Sequence, residues 1–331
     1  MTRLRVGFIG FGRFALLRKQ IIEDLKISNV VIEGYYDPNV DLSGELKRFK
    51  SDDDLYENCD AILISVPPKF APIYTEKALS EKKHVFCEKP AATNFHALKS
   101  VAAARAQCTE TVLGYGFNHR RHRSLIKIKE FTESKEFGSL LWMRGRYGKE
   151  VDKGYVNAWR SDIDQNGGGI LIDQGIHMID LMNWIAEGFD VVTAVLSTGY
   201  FNVDGVEDNA FVTMANSQTK VAASIHSTIT QWRYLFALEL FYERGSVVLN
   251  GLRTSSGVYG NEELTIRPSK EFERKFDTQK IEYSANHSWE DEMSAFFSAI
   301  NSRADYPYSG LQDAMETTKL MDEIYERAIW I

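Results

Sequence analysis

Asp173 and His177 stand four residues apart behind the triplet Gly167-Gly168-Gly169, and Lys89 stands between Glu88 and Pro90. Residues four apart on a helix are neighbours on one face. A neutral imidazole suits proton abstraction near neutral pH, and an adjoining carboxylate can orient the ring. A lysine donates a hydrogen bond and a positive charge to an oxygen that turns negative. Hydride removal from an alcohol carbon leaves a hydroxyl proton to be taken, and these three groups suit that task. The bland alternative is a pair of surface ion pairs. The adjoining glycines and the strand-end position of Lys89 argue against it.

The elements that would position these groups can be read outward from the N-terminus. An apolar run, Leu4 to Ile9, ends at Gly10-Phe11-Gly12-Arg13-Phe14-Ala15, where a helical pattern begins. Gly10 makes the tight turn, Gly12 lets backbone N–H groups approach a pyrophosphate, and Ala15 allows close helix–strand packing. The phosphates would lie over the positive end of the helix dipole. Phe11, Arg13 and Phe14 join the glycines as expected cofactor contacts. Val30 to Tyr36 reads as a second strand ending at Asp37-Pro38, and a carboxylate there holds ribose hydroxyls and repels a 2′-phosphate. NAD is therefore favoured, with NADP the alternative.

Ala61 to Val66 is a third strand, stopped by Pro67-Pro68, so Ser65 and Pro67 are expected beside the cofactor. His84 to Cys87 is a fourth, ending at Glu88-Lys89-Pro90, and Gly114 to Phe117 a fifth. Strands alternating with helical stretches imply an α/β fold with a doubly wound parallel sheet. Ligands of such sheets bind beyond the carboxyl ends of the strands.

At 331 residues the chain is about two domains long on a prior of roughly 150 residues each. A net charge of −7 speaks against a general nucleic-acid binder. The three cysteines, Cys59, Cys87 and Cys108, lack C-x-x-C spacing, which suggests reduced thiols and no structural zinc. No apolar run approaches the roughly 20 residues that cross a bilayer, and a strand beginning near residue 4 leaves no room for a signal peptide. The expected setting is cytoplasmic, with neither membrane nor nucleic acid as partner.

With these residues in order, the chain resembles the glucose–fructose oxidoreductase, inositol dehydrogenase and MocA family. The glycine motif, Asp37, Glu88-Lys89-Pro90, Trp159-Arg160 and the run Gly167 to His177 carry the resemblance, which extends over most of the chain. It implies a Rossmann domain followed by a C-terminal α/β domain with a large open, mainly antiparallel sheet. It also implies hydride transfer between a nicotinamide and a ring carbon of a sugar, cyclitol or nucleotide sugar. Trp159, Arg160 and Glu88 would then serve the cofactor, with Lys89, Asp173 and His177 catalytic. Ala71 stands where many members carry a histidine, which leaves the contacts near the nicotinamide open. An NADPH-dependent keto-sugar reductase and a non-catalytic dinucleotide-sensing protein are the competing readings.

The expected division is a dinucleotide-binding domain over 1–117 and a substrate domain over 118–331, with the last helix free to pack back on the first. His119 and His122 invite a metal reading, but no acidic or cysteine partner lies near them in sequence, so no metal is expected. Asn118 and Arg120 are expected to face the substrate, together with Lys89 and His177. Residues 148–168 read as a polar loop, followed by a helix with Ile172, Ile176, Ile179 and Met182 on its apolar face. Strands follow from Val191 to Leu249, and a last helix from Leu311 to Ile329. Trp232, Phe236 and Leu238 are expected on the sheet face away from the catalytic helix, making an oligomer interface for a homodimer or homotetramer.

Overall fold

The computed structural model describes residues 3–41, 46–254, 257–273 and 277–331. Two compact units emerge, Met1–Asn118 with Ser288–Thr318, and His119–His287 with Lys319–Ile331. The expected boundary at 117/118 left residues 118–331 together; the contacts instead group 288–318 with the first unit. The reason is the helix Ser288–Ser302, whose Trp289, Phe296 and Phe297 complete that unit's core.

The first unit is a five-stranded sheet in the order β2-β1-β3-β4-β5, all parallel. Its strands are β1 (Leu4–Ile9), β2 (Val30–Tyr36), β3 (Ala61–Ile64), β4 (His84–Glu88) and β5 (Leu113–Gly116), interleaved with α1 (Arg13–Leu25), α2 (Asp52–Asn58), α3 (Ala71–Ser80) and α4 (Leu98–Gln107). Every residue of β3 is buried, as a strand covered on both faces requires. Ser51 caps α2 by accepting the Asp54 N–H at 3.1 Å.

The second unit opens with α5 (Arg123–Ser134), β6 (Leu140–Glu150) and a short α6 (Ile163–Asn166). A single π-helical turn, Leu171–Gly175, leads into α7 (Ile176–Ala186). Then come β7 (Val191–Ser197), β8 (Asn209–Ala215), β9 (Ala222–Thr228), β10 (Thr230–Tyr242), β11 (Gly245–Asn250), the two-residue strands β12 (Arg253–Thr254) and β13 (Gly257–Val258), β14 (Glu262–Pro268) and β15 (Gln279–Tyr283). Helix α8 (Ser288–Ser302) and the first half of α9 (Leu311–Glu326) return to the first unit, where Phe14 of α1 stacks on Trp289 at 5.9 Å. The chain ends in β16 (Ala328–Trp330). Nine strands form one sheet, β15-β14-β11-β10-β6-β9-β8-β7-β16, antiparallel except at β6–β9 and β7–β16.

Three expectations change here. The polar loop begins later than position 148, because Gly148 to Glu150 still belong to β6, a central strand. The last helix stops at Glu326, and Ala328–Trp330 pairs with β7 instead, satisfying its backbone on the sheet edge. Phe236 (1% exposed) and Leu238 lie on the covered face; they register with Tyr147 and Gly145, whose side of the sheet packs on α7. A Cβ on Gly145 would meet Met178 and Met182, so the glycine sets how closely α7 approaches β6. The opposite face carries Trp142 stacked on Phe241 (3.9 Å, 11°) and Phe211 stacked on His226 (4.1 Å, 8°). Trp232 is exposed. Among the described residues no helix is long and apolar enough to cross a membrane.

Candidate active site

In the first unit, the parallel strands bring their carboxyl ends to one edge. Gly10 N–H donates to the Tyr36 carbonyl at 2.9 Å and Ser65 N–H to the Ile9 carbonyl at 2.8 Å, joining three strand ends. Gly10 has φ +76°, and a side chain there would run into the Ser65 backbone. Gly12 differs: a Cβ would meet no protein atom within 4 Å, so packing does not demand glycine there. Open space before an N-terminus of α1 that no side chain caps suits a pyrophosphate. Asp37 accepts the Phe11 N–H at 2.8 Å and those of Asn39 and Val40 at 2.8 and 3.1 Å, tying the glycine turn to the end of β2. These residues fit a dinucleotide.

The other expected contacts divide by environment. Gly12 and Arg13 are exposed, while Ser65, Pro67 and Lys89 are half-buried. Phe11 gives its N–H to Asp37 and stacks its ring on Tyr35 at 4.2 Å in the core. The Glu88 carboxylate accepts from Arg18 Nε at 2.8 Å, and Arg18 Nη2 reaches Glu292 at 2.6 Å. Arg18 lies between the rings of Phe86 and Trp289. Burial works against its charge, but Glu88 and Glu292 outweigh it and hold the guanidinium above its ordinary pKa. Asn118 is buried and donates to Ser288 Oγ at 2.9 Å.

In the second unit, one buried carboxylate organises the glycine triplet. Glu207 accepts the N–H groups of Gly169 and Leu171, both at 2.8 Å, and the Tyr325 hydroxyl at 2.9 Å; its carbonyl accepts the Ile170 N–H at 2.9 Å. A Cβ on Gly169 would run into the Glu207 backbone, and one on Gly168 into the Tyr325 hydroxyl. Two of the three glycines thus serve this clasp. Burial raises the Glu207 carboxyl to about 7, against the backbone N–H groups of Leu171, Glu207 and Gly169 and the Tyr325 hydroxyl, which lower it.

The clasp feeds the π-helical turn that carries Asp173; such turns recur at functional sites. This replaces the regular helix start expected from the sequence. Asp173 is held by Arg160 Nε at 3.2 Å and Lys149 Nζ at 3.3 Å, so Arg160 stands here on a carboxylate, with its guanidinium also 4.3 Å from the Trp159 ring. His177 opens α7 and lies flat on His119, with ring centroids 3.8 Å apart and planes at 13°. Arg120, expected to face the substrate, is buried and grips Asp180 through both Nε (2.8 Å) and Nη2 (2.7 Å), which binds the start of this unit to α7. Its guanidinium is committed to a partner inside the unit.

Sequence reasoning missed Arg18, Lys149, Glu207 and Tyr325. Each is a lone charged or hydroxyl residue whose partner is distant in the chain, so no spacing announces it. Among the described residues no group of three or more His, Cys, Asp and Glu side chains could hold a metal ion.

Comparison with known proteins agrees with these two constructions. A family model described as an oxidoreductase family with an NAD-binding Rossmann fold matches residues 4–117, and one described as a GFO/IDH/MocA C-terminal domain matches residues 125–248. A myo-inositol 2-dehydrogenase of Thermotoga maritima is 25% identical over 278 residues, covering 78% of this chain and 79% of its own. Levoglucosan dehydrogenase in complex with NADH shares the fold with a TM-score of 0.86 at 20% identity, over 98% of this chain and 97% of that one. The WlbA dehydrogenase of Bordetella pertussis, in complex with NADH and UDP-GlcNAcA, gives a TM-score of 0.81 at 18% identity over 98% and 96%.

Proposed function

The chain belongs to the GFO/IDH/MocA oxidoreductase family, with an NAD-binding Rossmann domain at its N-terminus, and we propose that it oxidises a secondary ring hydroxyl of a sugar, cyclitol or nucleotide sugar. NAD, when bound, supplies the acceptor for the hydride that leaves the ring carbon. His177 takes the hydroxyl proton, so that the C–H and O–H bonds are exchanged for a carbonyl. Lys89 donates a hydrogen bond to the oxygen as negative charge develops on it. Asp173 orients the imidazole and balances Lys149 and Arg160 beside it. The observation that carries this reading is the placement of Asp173 on a π-helical turn, held by Glu207 from inside the unit, that leads directly into the helix carrying His177. A structural helix start would not need a buried carboxylate and two glycines to fix its path.

The test is a screen of myo-inositol, levoglucosan and a UDP-linked uronic acid with NAD and NADP in parallel, following reduction of the cofactor. At least one ring alcohol should turn over. NAD should exceed NADP by about tenfold or more in kcat/KM, because the Asp37 carboxylate repels a 2′-phosphate. Tight NAD binding with no turnover on any ring alcohol would favour the non-catalytic reading, and preference for NADP would sink the Asp37 argument.

The exposed sheet face supports a second proposal, association with another copy through this sheet. Trp142 (39% exposed), Phe211 (54%) and Ile329 (64%) stand on it, and Arg144 bridges to Glu239 among them at 2.9 Å. Apolar groups gathered in this way are costly to leave in water. Light scattering should report at least a dimer; a monomer alone at micromolar concentration would overturn the proposal.

A further inference from the structure

His119 has no part in the chemistry described so far, yet it is the ring in contact with the proposed base. It is buried, parallel to His177 at 3.8 Å, and its Nε2 lies 3.0 Å from the Tyr147 hydroxyl. Tyr147 stands on the central strand β6 with its ring edge-on to Phe236 (5.2 Å) and Tyr259 (5.1 Å), so its hydroxyl is fixed by the sheet. Burial, then the nearby Tyr259 and Asp173, push its phenol well above the ordinary value, and it stays protonated. The neighbours of His119 are fixed as well. Arg120 grips Asp180, three residues beyond His177 on α7. His122 Nδ1 lies 3.2 Å from Glu262, which also accepts from Ser124 at 2.6 Å. The 119–120 segment therefore rides along α7 for one turn, through the stack at 177 and the ion pair at 180.

We propose that His119 is a positioning residue that sets the plane of the His177 imidazole, with Tyr147 as its anchor on the sheet. The inference rests on the reading of His177 as the base. The terminal torsion of a histidine is broad, so a ring without a platform samples many planes and its nitrogen many directions. A flat, parallel neighbour in contact removes most of that freedom. Proton abstraction depends steeply on such aim, since misplacement by an ångström can cost about a hundredfold.

The experiment combines side-chain ¹H–¹⁵N spectra of the histidines in the NAD-loaded protein with kcat and KM on the ring alcohol found in the screen. His119→Ala should move the His177 ring resonances out of their stacked positions. It should also lower kcat about tenfold or more while KM stays within about threefold. His119→Phe restores a flat ring and should recover most of the turnover. Tyr147→Phe leaves every ring in place but releases His119 Nε2, and should shift the His119 resonances and lower kcat to an intermediate level. Unchanged His177 resonances in His119→Ala would overturn the proposal, as would a His119→Phe variant no better than alanine. If His119→Ala does not fold, the phenylalanine variants decide, and normal spectra and kcat in Tyr147→Phe would be fatal. An inactive His177→Ala beside a normal His119→Ala removes only this inference, whereas a normally active His177→Ala removes the reading of the base itself.

Discussion

His177→Ala is expected to lower turnover at least about a hundredfold, the lower end of what a positioned general base contributes. Lys89→Ala is expected to lose a similar factor by removing the donor to the developing alkoxide. NAD affinity should change little in either variant, because the glycine turn, Asp37 and the N-terminus of α1 belong to other residues. Asp173→Asn should be damaging for a second reason besides orientation. It leaves Lys149 and Arg160 without the carboxylate that both now contact, placing two uncompensated cations near an imidazole that must take up a proton. Steady-state kinetics with calorimetric NAD binding separates these effects. Near-normal turnover in both alanine variants would show that the proton goes elsewhere.

What the sequence made legible was local. β1, the turn at Gly10, the carboxylate ending β2 and the lysine after β4 each have their own physical signature, and the structure has strands ending at the turn, the carboxylate and the lysine. The Asp173–His177 spacing was equally readable, although the π-helical turn between them was not, since nothing in Leu-Ile-Asp-Gln-Gly distinguishes it from an ordinary first turn. β6 was hidden by its own function: Gly145 thins the inner face for α7, while Arg144 and Arg146 occupy the outer one, so the run shows little apolar alternation. Phe236 and Leu238 were assigned to the wrong face because β10 is apolar at both parities, and only register with β6 decides between them. Glu207 and Arg18 were invisible for a plainer reason. Glu207 clasps residues 36 and 38 positions away, and Arg18 meets Glu292 across 274.

Arg18 yields the largest expected loss of stability. It is 1% exposed, on α1, with Glu88 at the end of β4 on one side and Glu292 of α8 on the other. Those two carboxylates are themselves nearly out of water, at 11% and 1% side-chain exposure. Arg18→Met should therefore cost about 3–5 kcal/mol, the usual result of removing one partner from a buried charged group. Most of that cost belongs to the stranded carboxylates rather than to lost attraction. A triple change, Arg18→Met with Glu88→Gln and Glu292→Leu, should for that reason recover much of the loss, even though it removes more polar contacts. Urea unfolding of the full chain would measure both variants. The triple variant should still turn over more slowly than wild type, because Glu88 precedes Lys89 and its bond to Arg18 helps fix the end of β4. A loss below about 1 kcal/mol in Arg18→Met would mean that water reaches the carboxylates, and a triple variant no more stable than the single one would mean that the loss comes from the missing contacts of Arg18 itself rather than from the stranded carboxylates.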